Sequence, residues 1–178
     1  YMKEKEELKN NSVVVTVMSN IGLERYLGEH GINVIRSKVG DRYVMEEMIK
    51  REINLGGEQS GHIILLDYVT TGDGIITAME MLSILRERGT KLSELSKEIR
   101  LYPQVMVNVK VKEKKREDEL YFIRDVIRDL EAELGDGRIL VRPSGTEPKI
   151  RVMVEGEDLV KIKGIAEKLA NVIKREIK

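Results

Sequence analysis

The sequence contains no cysteine, which excludes a disulfide framework, a thiolate metal site and a cysteine nucleophile, and which suits a cytosolic protein. It also lacks an excess of positive or negative charge. Lys and Arg total 31, and so do Asp and Glu, so no long-range field favours nucleic acid or an anionic membrane. No apolar run approaches the length of a membrane-spanning helix. Any anion-binding site must therefore be local.

The first seven residues are mostly charged and form no signal peptide. The sequence starts on Tyr1 within a helix-like pattern, so we expect it to be a fragment of a longer protein. Its 178 residues are enough for one domain or two small ones.

The first part of the chain alternates predicted strands and helices. A β-branched run at 12–18 predicts a buried strand, and Asn20 is placed to cap the helix that follows. Further strands are predicted at 33–36, 53–55 and 63–66, and further helices at 41–52, between Gly74 and Gly89, and at 92–99. The third helix has an apolar band formed by Ile75, Ile76, Met79, Leu82, Ile84 and Leu85. This alternation predicts a three-layer α/β domain of βαβ units with a mainly parallel sheet.

Pro103 ends the helical pattern, and we place a boundary here that gives domains 1–99 and 100–178. The second domain is predicted to be a small α+β unit in the order β-α-β-β-α. Its strands are expected at 105–111, 138–141 and 150–154, and its helices at 120–134 and 159–177. The mixed-charge run at 112–119 is expected to be a solvated segment.

The segment 142–149 reads Arg-Pro-Ser-Gly-Thr-Glu-Pro-Lys and joins two predicted strands. Its glycine permits unusual backbone angles, and its hydroxyls and successive N–H groups can converge on one anion. Arg142 at its start and Arg151, two residues beyond its end, would add guanidinium groups, which bind phosphate in bidentate geometry. A tight polar turn explains the same residue types, so the residues alone leave both interpretations open. The predicted phosphate-binding residues are Arg142, Ser144, Gly145, Thr146 and Arg151.

A second glycine-containing segment, 56–62, also lies between two predicted strands. It carries a carboxylate, an amide, a hydroxyl and an imidazole, which suit a polyol because each hydroxyl group both donates and accepts. The alternative is a glycine-rich hairpin with a solvated Glu58. A lone histidine such as His62 is more often a structural hydrogen-bonding residue than a zinc ligand.

Together, and in this order, the two segments resemble the C-terminal half of the α-D-phosphohexomutase family. The third domain of that family carries a Gly-Glu-x-Ser-Gly-His sugar loop, matched here by 57–62, and the fourth carries an Arg-Pro-Ser-Gly-Thr-Glu-Pro phosphate loop, matched by 142–148. The segments 16–20, 57–62 and 67–74 are most similar to the members that act on glucosamine phosphates. The resemblance implies that 1–99 is the sugar-binding third domain and 100–178 the phosphate-binding fourth domain.

The resemblance also implies roles for individual residues. Asp41 and Arg42 fall where family members place residues of the cleft, although Asp41 is equally well explained as a helix N-cap. Asp73, a carboxylate at the start of a helix, is expected to be structural. The phosphate loop would hold the phosphate that is not being transferred. The implied sugar-binding residues are Glu58, Gln59, Ser60 and His62.

The family's phosphoserine loop, Thr-x-Ser-His-Asn-Pro, and its Asp-x-Asp-x-Asp metal loop are absent from the sequence. We therefore expect no catalytic residue and no metal ligand in this chain, with Mg²⁺ required by the full-length enzyme and the missing N-terminal domains as partners. The implied reaction interconverts glucosamine 6-phosphate and glucosamine 1-phosphate through a phosphoserine and a bisphosphate. We expect the chain alone to be inactive and cytoplasmic, and to bind neither nucleic acid nor membrane.

Other functions remain open at this level. The chain could come from an enzyme acting on mannose or glucose phosphates, because the contact that discriminates at the second carbon is not identifiable. It could also be a phosphosugar-binding module without chemistry. An RNA-binding module is the third alternative, based on the Gly28-Glu29-His30-Gly31 spacing. Zero net charge and only 4% aromatic residues oppose it.

Overall fold

The computed structural model describes residues 1–177, and the chain divides into two compact units, Tyr1–Leu101 and Tyr102–Lys178. Unit 1 contains strands β1 (Ser12–Thr16), β2 (Asn33–Ser37), β3 (Leu55–Gly57) and β4 (Ile63–Leu65), and helices α1 (Ile21–Glu29), α2 (Asp41–Lys50), α3 (Gly74–Arg88) and α4 (Leu92–Leu95). Unit 2 contains β5 (Gln104–Lys110), α5 (Arg124–Leu134), β6 (Gly137–Pro143), β7 (Lys149–Gly156) and α6 (Leu159–Glu176). Short 3₁₀ turns occupy Lys9–Asn11 and Glu117–Ile123.

The sheet of unit 1 has the strand order β2-β1-β3-β4 and is mainly parallel, as predicted. Strand β1 runs parallel to both β2 and β3, and only β4 is antiparallel to its neighbour. Alternate residues of β1 face opposite sides. Val14 packs with Val44 and Met48 of α2, while Val13 and Val15 pack with residues of α1 on the other side. The sheet therefore lies between helices, which confirms the predicted three-layer arrangement.

Strand β3 begins two residues later than the predicted strand at 53–55, because glycine allows it to approach α2 closely. A Cβ atom on Gly56 would lie 2.5 Å from Met48 Sδ and 2.8 Å from Val44 Cγ1. Ile53 instead follows the end of α2, where its N–H donates to the carbonyl of Met48 at 2.9 Å. Gly56 and Gly57, the first two residues of the segment 56–62, are consequently part of the sheet.

Three helix ends in unit 1 are stabilised by residues that the sequence places there. The Asn20 side chain accepts a hydrogen bond from the N–H of Gly22 and caps α1. Asp73 caps α3 by accepting from the N–H groups of Ile75 and Ile76 at 2.8 and 2.9 Å. Gly89, with φ 60°, ends the same helix in the left-handed conformation.

The apolar band of α3 is only partly covered by the rest of unit 1. Ile75, Met79 and Leu82 are 78%, 63% and 61% exposed. Their spacing of four and three residues places them on one side of the helix, whereas Ile84 and Leu85 are half-buried. Helix α4 is also shorter than the predicted 92–99 helix and ends at Leu95.

Unit 2 has the predicted order β-α-β-β-α. Its antiparallel sheet has the strand order β5-β7-β6, and its core lies between one sheet face and the helices α5 and α6. The predicted helix at 120–134 begins as the 3₁₀ turn Glu117–Ile123 and becomes α-helical only at Arg124. Within residues 1–177, no helix is long and apolar enough to span a membrane.

A buried amide ties the N-terminal segment to the β3–β4 region of unit 1. Asn54 is only 2% exposed. Its side chain accepts from the N–H of Lys9 at 3.0 Å and donates to the carbonyl of Glu7 at 2.9 Å. It also donates to Asp67, whose carboxylate forms an ion pair with the Lys9 ammonium.

This network predicts an acid-sensitive contribution to stability. The hydrogen bond from Asn54, and then that from Lys9, holds the pKa of Asp67 below its usual value. The contribution should be fully present above about pH 4, the ordinary carboxyl pKa, and should be lost as the pH falls through the lower folded value.

We expect Asp67→Asn to destabilise unit 1 at pH 7 by under about 1 kcal/mol, since the side chain is partly exposed, and to have less effect at pH 3. Urea unfolding followed by NMR signals of β1 measures the difference. The exposed Glu29→Gln is the matched control. An equal loss in Asp67→Asn at both pH values would contradict the assignment.

Candidate functional site

The loop between β6 and β7 is a tight turn held by its own backbone and by Ser144. The Ser144 N–H donates to the Lys149 carbonyl at 2.8 Å, and the Lys149 N–H donates to the Glu147 carbonyl at 2.8 Å. Ser144 is 5% exposed, and its Oγ accepts from the Glu147 N–H at 3.4 Å. Gly145 and Thr146 form the exposed apex. Ser144 therefore shapes the loop.

Two arginines stand directly opposite each other at the base of this loop. Arg142 of β6 and Arg151 of β7 are register partners, so their side chains lie on the same face of the sheet. The Nε atoms of both are buried and have no hydrogen-bond partner among residues 1–177. Burial, and then the charge of Arg151, lowers the pKa of Arg142.

Two like charges at facing positions are destabilising, and buried donors without acceptors are rare in proteins. A single anion between the two guanidinium groups would offset both costs.

The one carboxylate in the loop is already paired. Glu147 forms an ion pair with Lys149 at 2.8 Å. The hydrogen bond from Lys149 lowers the pKa of Glu147, and the charges of Lys149, Arg151 and Lys110 act in the same direction. Since several cations act on this carboxylate, the neighbourhood of the loop is positive although the chain as a whole is neutral.

The predicted sugar loop closes the β3–β4 hairpin. The Glu58 N–H donates to the His62 carbonyl at 2.9 Å, and the Gly61 N–H donates to the Glu58 carbonyl at 3.0 Å. Gly61 has φ 97°, a conformation that favours glycine. Ser60 Oγ lies 3.0 Å from His62 Nδ1, so these two exposed side chains form a hydrogen-bonded pair. The backbone is thus the glycine-containing hairpin that was the alternative interpretation, with four polar side chains at its tip.

Glu58 is fixed rather than freely solvated. Its Oε2 accepts a hydrogen bond from the N–H of Gly40 at 3.0 Å, and the residue is half-buried. Gly40 precedes α2 and has φ 127°, which a residue with a side chain rarely adopts. Sequence reasoning did not include Gly40, because only the folded chain brings the start of α2 to the β3–β4 loop. The sequence feature that could have drawn attention to Gly40 is its position directly before a predicted helix.

The structure does not bring Asp41 or Arg42 to Glu58 through any hydrogen bond between described residues. Asp41 is the first residue of α2 and not its N-cap, which corrects the alternative interpretation, and its carboxylate accepts from the N–H of Arg42 at 2.7 Å. The Arg42 side chain is 80% exposed and pairs with Glu46 at 2.8 Å along the helix. A role for either residue in the cleft stays a prediction.

A cavity of about 610 Å³ lies beside the sugar loop, with Glu58 and Gln59 among its lining residues. The rest of its lining is mostly aliphatic and includes Val13, Leu23 and Leu55. Such a surface suits apolar groups and not sugar hydroxyls. The polar tip of the hairpin offers more hydrogen-bonding groups to a polyol than this cavity does.

Across residues 1–177, no group of three His, Cys, Asp or Glu side chains is arranged to hold a metal ion. The donor set that Mg²⁺ prefers, several carboxylate and carbonyl oxygens around one point, is thus not found in the described part of the chain. No chemical step on this chain is assigned to a metal.

Comparison with known proteins defines the class. Residues 1–102 match the family profile "Phosphoglucomutase/phosphomannomutase, alpha/beta/alpha domain III", and residues 106–172 match "Phosphoglucomutase/phosphomannomutase, C-terminal domain". These matches span most of the sequence. The chain therefore belongs to the phosphoglucomutase/phosphomannomutase family.

Within that family the chain is similar to phosphoglucosamine mutases. It is 59% identical to that of Caldanaerobacter subterraneus subsp. tengcongensis over 99% of this chain, and 49% identical to that of Geobacillus kaustophilus over 99%. It spans 40% of the length of each relative. The fold resembles that of Aspergillus fumigatus N-acetylphosphoglucosamine mutase, with TM-score 0.82, 19% identity and coverage of 99% of this chain and 40% of that one. A second structure of that enzyme, in complex with GlcNAc-6P and magnesium, gives TM-score 0.80, 19% identity and coverage of 95% and 42%.

Proposed function

We propose that this chain is the sugar-binding and phosphate-binding part of an enzyme that interconverts glucosamine 6-phosphate and glucosamine 1-phosphate. The facing arginines Arg142 and Arg151, with buried Nε atoms that lack partners among the described residues, carry this proposal. The names of the similar relatives support glucosamine phosphate over mannose or glucose phosphate.

Unit 2 is assigned to the phosphate that is not being transferred. Arg142 and Arg151 supply the charge, while the N–H groups of Gly145 and Thr146 supply neutral donors and Ser144 shapes the turn. A site made from backbone and guanidinium groups does not depend on the shape of the sugar ring. It can therefore accept a phosphate from either end of the sugar, which a bisphosphate intermediate that reorients would require.

Unit 1 is assigned to the sugar. Glu58, held by Gly40, would accept hydrogen bonds from ring hydroxyls, while the Ser60–His62 pair would both donate and accept. Gln59 lies between them and is proposed to contact the amino-sugar part of the substrate.

The groups that transfer the phosphate are proposed to lie in the portion of the relatives that this chain does not match. They are a phosphoserine and Mg²⁺, which neutralises charge on the transferring group. The expected cytoplasmic location belongs to the same proposal. The chain's own residues bind and orient the substrate, so we expect it to bind glucosamine 6-phosphate without converting it.

Calorimetric titration of the chain tests this function. We expect glucosamine 6-phosphate to bind roughly 100-fold more tightly than glucosamine, since charge-assisted hydrogen bonds to phosphate are each worth about 1.5–3 kcal/mol. Parallel titrations with mannose 6-phosphate and glucose 6-phosphate measure whether the chain prefers a particular substituent at the second carbon of the sugar. Equal affinity for glucosamine and its phosphate would overturn the proposal. Conversion of the substrate by the chain alone would contradict the assignment of phosphate transfer to groups outside this chain.

A further inference from the structure

The charged connection between β5 and α5 places one lysine at the phosphate loop. Lys114 donates from its Nζ to the carbonyl of Gly145, at 3.3 Å, at the loop apex. This contact joins residues 31 positions apart, so it is not a consequence of local chain geometry. The sequence alone indicated a solvated run with no role.

Lys114 differs from the two cations that follow it in the same run. Lys115 pairs with Glu119 at 3.4 Å, and Arg116 pairs with Asp118. Among the residues that the structure describes, Lys114 has no carboxylate within ion-pair distance and bonds only to a neutral carbonyl. Its charge is therefore available for an anion.

The chemistry of lysine makes this position useful. An ammonium group has three donors on a flexible stem, so it can keep its bond to Gly145 and donate to a second acceptor. The carboxylate nearest in the sequence to the Gly145 contact, Glu147, is occupied by Lys149. A phosphate in the loop would be the next acceptor that Lys114 meets.

We propose that Lys114 is a further phosphate-binding residue, delivered to the loop by the connection between β5 and α5. The inference rests on the proposed function, in which the loop binds phosphate. Lys114 adds a movable cation to the fixed pair Arg142 and Arg151. It also provides a donor from outside the Arg-Pro-Ser-Gly-Thr-Glu-Pro segment.

The test is calorimetric titration of the chain with inorganic phosphate. Lys114→Met should weaken binding roughly tenfold, as expected for loss of one hydrogen bond from a charged group. Lys112→Met is the matched control, because it removes the same charge from the same segment, and we expect less than about a twofold change there. Lys114→Arg keeps the cation and should bind within about threefold of the wild type.

Amine labelling separates direct contact from loop positioning. Inorganic phosphate should protect Lys114 from acylation and leave Lys112 unprotected. Weaker binding by Lys114→Met without this protection would assign Lys114 a positioning role and overturn direct contact. Equal binding by Lys114→Met and Lys112→Met, with binding lost in Arg142→Met, would overturn the inference and leave the proposed function standing. If Arg142→Met also bound phosphate as the wild type does, both the inference about Lys114 and the proposed function would be overturned.

Discussion

Replacing Arg142 by methionine is expected to weaken phosphate binding by roughly 100-fold, because truncating one partner of a buried charged contact typically costs about 2–5 kcal/mol. The same change should leave the free chain equally stable or more stable by up to about 1 kcal/mol. It removes a positive charge that faces Arg151, and a buried Nε that has no acceptor among the described residues. Loss of binding together with retained stability is characteristic of a residue placed for a ligand and not for the fold.

Phosphate titration and urea unfolding of the same preparation measure both effects. Arg124→Met is the matched control, because it removes an exposed arginine at the start of α5, and it should change neither quantity appreciably. If Arg142→Met bound phosphate normally but lost stability, the arginine pair would be structural and the loop an ordinary turn.

The second large effect is expected at Glu155, which is fully buried in β7. Its cross-strand partners are Arg138 on β6 and Gln104 on β5, and Arg138 Nη2 donates to its carboxylate at 2.7 Å. Removing the carboxylate takes this charge-assisted hydrogen bond away from Arg138, whose side chain is only 19% exposed. We expect Glu155→Ala to destabilise unit 2 by about 3–5 kcal/mol.

Hydrogen exchange of the β7 amides measures this loss within unit 2. Glu167→Ala, at an exposed position of α6, should change it by less than about 0.5 kcal/mol. Replacing the pair together, as Arg138→Met with Glu155→Leu, should recover most of the stability, since apolar groups of similar volume avoid the desolvation cost. A loss in the double variant as large as in Glu155→Ala would show that the ion pair is not the cause.

The sequence predicted the architecture correctly where local chemistry and tertiary packing favour the same structure. Asn20 and Asp73 cap the starts of their helices and Gly89 ends one, as their chemistry predicts. The β-branched residues 13–16 lie in a buried strand inside the sheet. Prediction was wrong where tertiary packing decides. Strand β3 is displaced because Gly56 lets the backbone approach α2, and no local propensity reports a close approach of this kind.

The sequence gives the residue types of the candidate site, but it does not give their geometry. The types and order of residues at 142–151 indicate a phosphate loop, whereas the facing of Arg142 and Arg151 follows from the β6–β7 register. The contacts of Gly40 with Glu58 and of Lys114 with Gly145 join segments distant in sequence. A single sequence does not report such pairs, because they depend on how the elements pack.

The most direct measurement is an NMR titration of the chain with inorganic phosphate, following the Nε–H signals of Arg142 and Arg151. These two protons lack acceptors among the described residues in the free chain. Phosphate should shift both signals downfield along one common saturation curve, while the Nε–H of Arg124 stays unchanged. If neither arginine signal moves at saturating phosphate, the loop between β6 and β7 is not a phosphate site.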